Sequence, residues 1–176
     1  MQSPILLRVA VMLLGLASCF PQIAAATGET EYVLEKVFTS VAPVFMAGHE
    51  GDPNWIQGYA FEGDILLDGQ RIGSVSGATT LWHPPLQFND VYNEVGMTAV
   101  NTIDGIGTLD VYGQAVVLTS GTTATTGDVV LAWTGSVTNG SGALANAYGL
   151  AAGNAIANMF ISSGNGTEIL RIRFGY

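Results

Sequence analysis

Short β-prone runs alternate with turn residues between positions 101 and 153, and this alternation limits the chain to few architectures. The runs NTIDGIGTLDVYGQAVVL and DVVLAWTGSVTNG are rich in β-branched and apolar residues, and Gly, Asn and Thr residues separate them. That spacing is typical of an antiparallel meander. Within Gly107–Val117, small and apolar residues occupy one face of the predicted strand, whereas Asp110, Tyr112 and Gln114 occupy the other. Such a division suits the wall of a closed barrel better than a flat sheet.

Comparable runs recur along the chain and predict further strands. Asp68-Gly69 and Asp104-Gly105 are two-residue hairpin signals, because glycine and aspartate tolerate the positive φ that such turns need. The sequence therefore predicts an all-β fold, a closed antiparallel barrel of about eight strands, which is enough to hold side chains or one small ligand inside. The predicted strands are Glu29–Ser40, Ile56–Leu67, Gln70–Leu81, Val95–Ile103, Gly107–Thr119, Gly127–Gly135, Ser141–Ala151 and Glu168–Tyr176.

Residues 143–160 are the ambiguous part of this pattern. Their alanine content is typical of a helix, but Gly149 and Gly153 each lower helix stability by about 1 kcal/mol. We expect a strand that ends at Ala151, followed by a short helix or turn around Asn154–Asn158. The connections at 41–55 and 86–94 are rich in Pro, Gly and Asn, and we expect them to be irregular.

The N-terminal 26 residues have the form of a secretory signal. Arg8 is their only charge, Val9–Leu16 is apolar, and Ala24-Ala25-Ala26 is a small-residue cleavage site. The apolar run is shorter than the roughly 20 residues that a membrane-spanning helix needs. We therefore expect secretion of a single barrel domain that covers residues 27–176.

A second interpretation of the same segment is a lipid anchor. Leu16-Ala17-Ser18-Cys19 has the form of a bacterial lipoprotein box, which would place a lipid on Cys19 and make the protein periplasmic or surface-anchored. Cys19 is the only cysteine of the chain, so no disulfide within the chain can stabilise the domain. Stability has to come from a hydrophobic core.

The charge balance excludes some partners. The chain carries 14 acidic residues and five Lys and Arg residues, a formal net charge of −9 at pH 7. Phosphate backbones and anionic membrane surfaces repel such a chain, so we expect no nucleic-acid partner. The short apolar run near the N-terminus is the reason to expect no membrane span.

The candidate catalytic carboxylates lie on the hairpin after residue 56. Asp64 and Asp68 share a strand face with Glu62, and burial inside a barrel would raise their pKa values and make one a general acid. If this face points to water, as the polar face of an antiparallel sheet usually does, the carboxylates only solubilise the protein. Tyr148 is the third predicted catalytic residue.

Four residues are predicted to contact a ligand, and a metal is not expected. His83, beside two prolines, is either an acid–base group at the barrel mouth or a loop residue bonded to backbone. His49, Glu50 and Asp52 are too few and too loosely placed for a closed metal site. Phosphate-binding, dinucleotide and nucleophile-elbow motifs are absent, so we expect no cofactor. The predicted ligand contacts are Tyr112, Arg71, His83 and Trp82.

Three motifs of small residues can be read in the predicted strands. Gly107, Thr108, Leu109, Val111 and Gly113 fit a G-S-T-L-x-V-x-G strand, and Gly140, Gly142, Leu144, Ala147 and Gly149 fit a G-G-T-G-x-F-x-x-A-x-G strand. Gly73-Ser74-Val75-Ser76-Gly77 is a looser match to a G-R-A-Q-G strand. In these motifs the sequence resembles a known superfamily, the dirigent proteins and the allene oxide cyclases.

The resemblance implies a barrel that holds a small hydrophobic ligand, uses no metal or cofactor, and assembles as a homo-oligomer, commonly a trimer. Dirigent proteins steer the coupling of phenoxy radicals, and the cyclases close a fatty-acid epoxide. The acid and the arginine of the dirigent motifs are replaced here by Ala143 and Tyr148, which argues against lignan-type coupling.

Two functions follow as hypotheses. The first is an exported dirigent-like barrel that binds a small hydrophobic molecule and steers its cyclisation, isomerisation or coupling. The alternative is a non-catalytic secreted or surface-anchored barrel with a structural or interaction role. Asn139 and Asn165 begin N-x-S/T sequons, which are glycosylated only in a eukaryotic secretory pathway.

Overall fold

Eight strands form one closed antiparallel barrel in the computed structural model of the protein, which describes residues 29–47, 56–82 and 91–175. Each strand pairs with its sequence neighbours, and the last pairs with the first, so the predicted fold class is confirmed. The elements are β1 (Thr30–Ala47), β2 (Ile56–Leu67), β3 (Gln70–Trp82), β4 (Val91–Ile103), β5 (Gly107–Thr119), helix α1 (Thr123–Thr126), β6 (Asp128–Gly140), a 3₁₀ turn (Gly142–Leu144), β7 (Ala147–Asn158) and β8 (Ser163–Phe174).

The ladder between β1 and β8 closes the barrel. It runs without a register shift from the Thr30–Ile172 pair to the Phe38–Gly164 pair. On its outer side, Arg171 pairs with Glu31 at 2.6 Å. Exposed ion pairs of this kind contribute about 0–1 kcal/mol, so closure depends mainly on the ladder and the core.

Alternate residues of every strand point into the barrel and form the core. Leu34, Ile65 and Ile172 are at most 2% exposed. On β2, Leu67 is also buried, whereas Glu62 is exposed, so the polar face of this strand points to water. The structure therefore agrees with the alternative in which the carboxylate face of this strand points to water.

The two hairpin turns have the predicted chemistry. Asp68 and Gly69 have φ values of 51° and 74°, and Gly105 has a φ of 72°. Asparagine, aspartate and glycine tolerate this left-handed region better than other residues. Both turns therefore fix the register of the strands they join.

β1 and β4 are longer than predicted. β1 continues to Ala47, although its proline predicts an irregular connection. The ladder with β2 shifts register between Phe38 and Ser40 and again between Pro43 and Phe45, and such bulges accommodate a proline within a strand. β4 begins at Val91.

The alanine-rich segment is a strand that begins later than predicted. Gly142 and Asn146 have φ values of 61° and 64°, so the chain turns there and β7 starts only at Ala147. β7 then continues to Asn158, and the predicted helix or turn around 154–158 is wrong. Alanine suits this strand because its inward positions face a narrow interior, as Ala151 does at 1% exposure.

The predictions about export lie outside the described residues, which begin at Glu29. These are the signal peptide at 1–26 and the lipid on Cys19. Among the residues that the structure describes, no helix is long and apolar enough to cross a membrane.

A pair of isoleucine substitutions tests which face is the core. Ile65 is 0% exposed, whereas Ile169 on β8 is 41% exposed. Because a buried isoleucine leaves a cavity when truncated, we expect Ile65→Ala to lower the free energy of unfolding by about 2–5 kcal/mol. Ile169→Ala is the control, with an expected loss within about 1 kcal/mol from strand preference alone. Urea unfolding measures both, and equal losses would contradict the assigned faces.

Candidate functional site

One half of the barrel interior is open. Inward side chains leave a cavity of about 90 Å³ near the end where β1 and β3 finish and β4 begins. A cavity of about 10–15 Å³ already holds a single water, so this larger cavity has room for a small organic ligand. All eight strands contribute to the wall, which is predominantly apolar. Its aromatic members are Phe38, Tyr59, Phe61 and Trp133.

The other half of the interior is filled by its own side chains. Leu34, Val75 and Ile172 are at most 2% exposed there. Leu144 of the 3₁₀ turn is buried as well and joins the core cluster at that end. Among the described residues the cavity is therefore closed at this end of the barrel, and we call it blind in this sense.

A buried ion pair lies at the inner end of the cavity. Lys36 Nζ of β1 is 2.8 Å from Glu168 Oε2 of β8, and the two side chains are 3% and 0% exposed. Both residues contribute to the cavity wall. On each of the two strands, the next side chain that points into the barrel is a leucine of the filled half. These residues are Leu34 and Leu170.

Two further donors hold the carboxylate. Trp133 Nε1 donates to Glu168 Oε1 at 3.1 Å, and Asn101 Nδ2 donates to Oε2 at 3.1 Å. Lys36 Nζ also lies 5.8 Å from the centre of the Trp133 ring, within the range of a cation–π contact. Glu168 thus accepts three hydrogen bonds, from Lys36, Trp133 and Asn101.

Burial shifts the titration of the lysine. Loss of hydration lowers the pKa of Lys36, and the attraction and hydrogen bond of Glu168 oppose that shift without cancelling it. The pair therefore brings together a carboxylate and an amine that loses its proton more readily than a surface lysine. Such a pair can orient one polar group of a ligand and can give or accept a proton.

Small residues on neighbouring strands make room for this network. Gly153 of β7 stands between Trp133 and Glu168 in the ladders, and a Cβ there would lie 2.2 Å from Trp133 Cζ2. Gly166 of β8 pairs with Lys36 on one side and with Ala155 on the other. Glycine at position 153 leaves the space in which the indole lies across the strand.

The predicted carboxylate Asp64 lies outside the cavity. It accepts a hydrogen bond from Arg71 Nε at 2.7 Å, and Arg71 Nη1 also donates to Asp104 at 2.7 Å. The side chains of Asp64 and Arg71 are 41% and 50% exposed. The structure brings these two predicted residues together, but as an ion pair on the outer surface.

The other predicted site residues are also outside or undescribed. Tyr112 and Tyr148 are 65% and 49% exposed on the outer face, and Asp68 is exposed in its hairpin turn. The side chain of Trp82 and all of His83 lie outside the described residues. No described member of the predicted set lines the cavity, and their catalytic and ligand-binding roles stay predictions.

The sequence carries a signal for the residues that do line it. Lys36 shares its strand face with Leu34, and Glu168 shares its face with Leu170 and Ile172. A lone charge on an otherwise apolar strand face is a charge that the barrel has to bury. This rule identifies the pair from sequence, although it does not show that the two residues meet.

The sequence predicts no metal site, and it contains two N-x-S/T sequons. Among residues 29–47, 56–82 and 91–175, no three His, Cys, Asp or Glu side chains are grouped as a metal site requires. His49, Glu50 and Asp52 are outside these ranges. Asn139 and Asn165 are exposed, on β6 and β8 rather than in turns, and their glycosylation stays a prediction.

Comparison with known proteins supports the fold. No protein-family model matches the sequence, and no curated protein matches it significantly. The solved structure of the pterocarpan synthase dirigent protein PsPTS1 matches with a TM-score of 0.55 at 11% identity, over 85% of this chain and 98% of that chain. The pterocarpan synthase dirigent protein GePTS1 matches with a TM-score of 0.54 at 14% identity, over 88% and 97%. The chain therefore has a dirigent-like barrel fold.

The titration of Lys36 can be followed without interference, because the chain has no other lysine. We expect ¹³C labelling at lysine Cε to give one resonance whose midpoint lies below the ordinary value of 10.5, because burial opposes the charged form. At pH values between the lowered pKa of Lys36 in the folded protein and 10.5, this lysine has lost its proton in the folded protein but keeps it in the unfolded chain. This group's contribution to stability therefore grows as the pH rises through that interval. A midpoint at or above 10.5 would contradict the buried placement.

Two glycine substitutions test the position of Trp133. A Cβ at Gly153 would overlap the indole, so we expect Gly153→Ala to lower the free energy of unfolding by about 1–3 kcal/mol and to alter the Trp133 Nε1–H resonance. Gly96→Ala is the control, because a Cβ at Gly96 meets nothing within 4 Å. We expect this control to be neutral or slightly stabilised. Urea unfolding and NMR check both, and an unshifted indole in Gly153→Ala would refute the packing.

Proposed function

We propose that this protein binds a small, mainly apolar molecule in the blind cavity and holds one polar group of it against Lys36 and Glu168. The observation that carries the proposal is an apolar cavity with a buried, hydrogen-bonded ion pair at its inner end. Apolar walls with a few convergent polar groups are the usual composition of small-molecule sites.

Steering of a reaction is part of the same proposal. A blind cavity restricts the conformations of a bound molecule, and the pair at its end fixes which end enters first. Orientation of this kind accelerates a cyclisation, isomerisation or coupling without a nucleophile or a metal. The fold that this chain shares with two pterocarpan synthase dirigent proteins supports the idea, since those barrels are named for a synthase activity.

Export and self-assembly complete the proposal. Export rests on the signal-like residues 1–26. A homo-oligomer is supported by apolar side chains on the outer face of β6 and β7, where Val130, Leu150 and Ile156 are 47–61% exposed. A non-catalytic binding barrel would share these features and differ only in releasing its ligand unchanged.

A fluorescent apolar probe tests ligand binding directly. We expect N-phenylnaphthylamine to bind saturably with increased emission, because the cavity removes it from water. Ala155→Leu fills the cavity wall and should weaken binding by about tenfold or more, a loss of about 1.4 kcal/mol. Ala152→Leu is the matched control, since it makes the same change on the exposed face of the same strand. Equal affinity in the two variants, or no saturable binding, would refute the cavity as the site.

A further inference from the structure

Lysine usage in this chain is unusual. Lys36 is the only lysine, and it is 3% exposed inside the barrel. The described exposed cations are all arginines: Arg71, Arg171 and Arg173. Lysine is normally a surface residue, and it is rarely buried unless paired. Arginine stays charged at any ordinary pH, whereas a buried lysine can lose its proton. The one cation that can become a free amine is therefore the one that lines the cavity.

Its immediate partner is placed for proton transfer. Glu168 Oε2 lies 2.8 Å from Lys36 Nζ, which is hydrogen-bond distance. Trp133 and Asn101 hold the carboxylate from two other strands, so its position does not depend on the lysine. When a carbonyl compound displaces the ammonium from the carboxylate, these donors keep Glu168 in reach.

We propose that Lys36 forms a reversible imine with an apolar aldehyde or ketone bound in the cavity, with Glu168 as the proton acceptor and donor. This proposal rests on the proposed function, because the carbonyl compound has to enter the same cavity. It adds a covalent step and a substrate class, a small hydrophobic carbonyl compound.

The step balances without a cofactor. Glu168 takes a proton from the Lys36 ammonium, and the free Nζ lone pair attacks the carbonyl carbon, which forms a C–N bond while the π electron pair of the carbonyl moves to its oxygen. Glu168 gives its proton to this oxygen and takes one from the nitrogen, so a neutral carbinolamine forms. Glu168 then protonates the hydroxyl group, which leaves as water, while the nitrogen lone pair forms the C=N bond of a protonated imine. Hydrolysis reverses the sequence. Burial supports the first proton transfer, since loss of hydration lowers the pKa of Lys36.

The cavity wall sets the selectivity. Phe38, Phe61 and Met97 present apolar surface to the ligand, whereas the ion pair is the polar end. A charged aldehyde would have to leave its hydration shell in this environment, which is unfavourable. An aromatic aldehyde keeps its ring against the wall and presents its carbonyl group to Lys36.

Reductive trapping tests the proposal. The folded protein is incubated with benzaldehyde and sodium cyanoborohydride, and peptide mass mapping locates any benzyl group. We expect one benzyl group on Lys36, formed saturably and suppressed by N-phenylnaphthylamine, whereas glyoxylate should label this residue at least about tenfold more slowly. The N-terminal amine is the internal reference for unselective labelling. Labelling of the N-terminus without Lys36 would overturn the proposal.

Two variants test the covalent step. Lys36→Arg keeps the positive charge but has no amine that can form an imine, so it should lose the trapped product at this position. Glu168→Gln should slow trapping by about 100-fold, the range of general acid–base catalysis. Glu35→Gln is the control, an exposed carboxylate next to Lys36 on the opposite face of β1, and it should trap at the normal rate.

The outcomes also distinguish this proposal from the previous one. Saturable probe binding without labelling of Lys36 in the unaltered protein overturns the imine and leaves the binding cavity intact. Absence of both overturns the two proposals together. If Glu168→Gln does not fold, as circular dichroism would show, trapping by the unaltered protein and its loss in Lys36→Arg still decide the case.

Discussion

Pairing between β1 and β8 is the constraint on which the rest of this structure depends. It removes the two free edges of the sheet and divides each strand into an inner and an outer face. Lys36 and Glu168 belong to these two strands, so closure itself brings them together. In an open sheet the two charges would stand on separate edges. The site and the topology therefore form in the same event.

The ion pair is not explained by stability alone. Removing two charges from water carries a penalty of several kcal/mol each, and apolar residues of similar size often replace a buried pair without loss of stability. Here the penalty is offset by three hydrogen bonds to Glu168 and by the Trp133 ring near Lys36. Asn101 Oδ1 is buried without a hydrogen-bond partner. An unsatisfied buried acceptor adds to the cost of this network.

Much of the fold follows from local pattern. Turns with Asp-Gly, alternating faces and eight runs of strand length suffice for a barrel, and β2 and β5 have their predicted bounds. Local pattern does not predict the bounds of β1 and β7, because a bulge accommodates Pro43 and a narrow interior favours alanine in a strand. In both cases the tertiary environment overrides local propensity.

The site follows from sequence less well, for a physical reason. The prediction selects polar residues on the polar faces of strands, such as Asp64 and Tyr112, and a closed barrel turns those faces to water. Better catalytic candidates in a barrel are the rare charged side chains on apolar strand faces. Lys36 and Glu168 are of this kind. The sequence does not show that Asn101 and Trp133 contact Glu168, because these contacts depend on how four strands are staggered in the barrel.

The fold similarity and the site lead to different residues. The motifs that resemble dirigent proteins lie on β3, on β5 and around the 3₁₀ turn, and that resemblance places Ala143 and Tyr148 where those proteins have an acid and an arginine. Ala143 is exposed, and Tyr148 is half-exposed at the end of β7 opposite the cavity. The charged groups that line the cavity come from β1 and β8, outside these motifs. The shared barrel therefore shows the fold alone, and the chemistry of the cavity has to be argued from the buried lysine and its carboxylate.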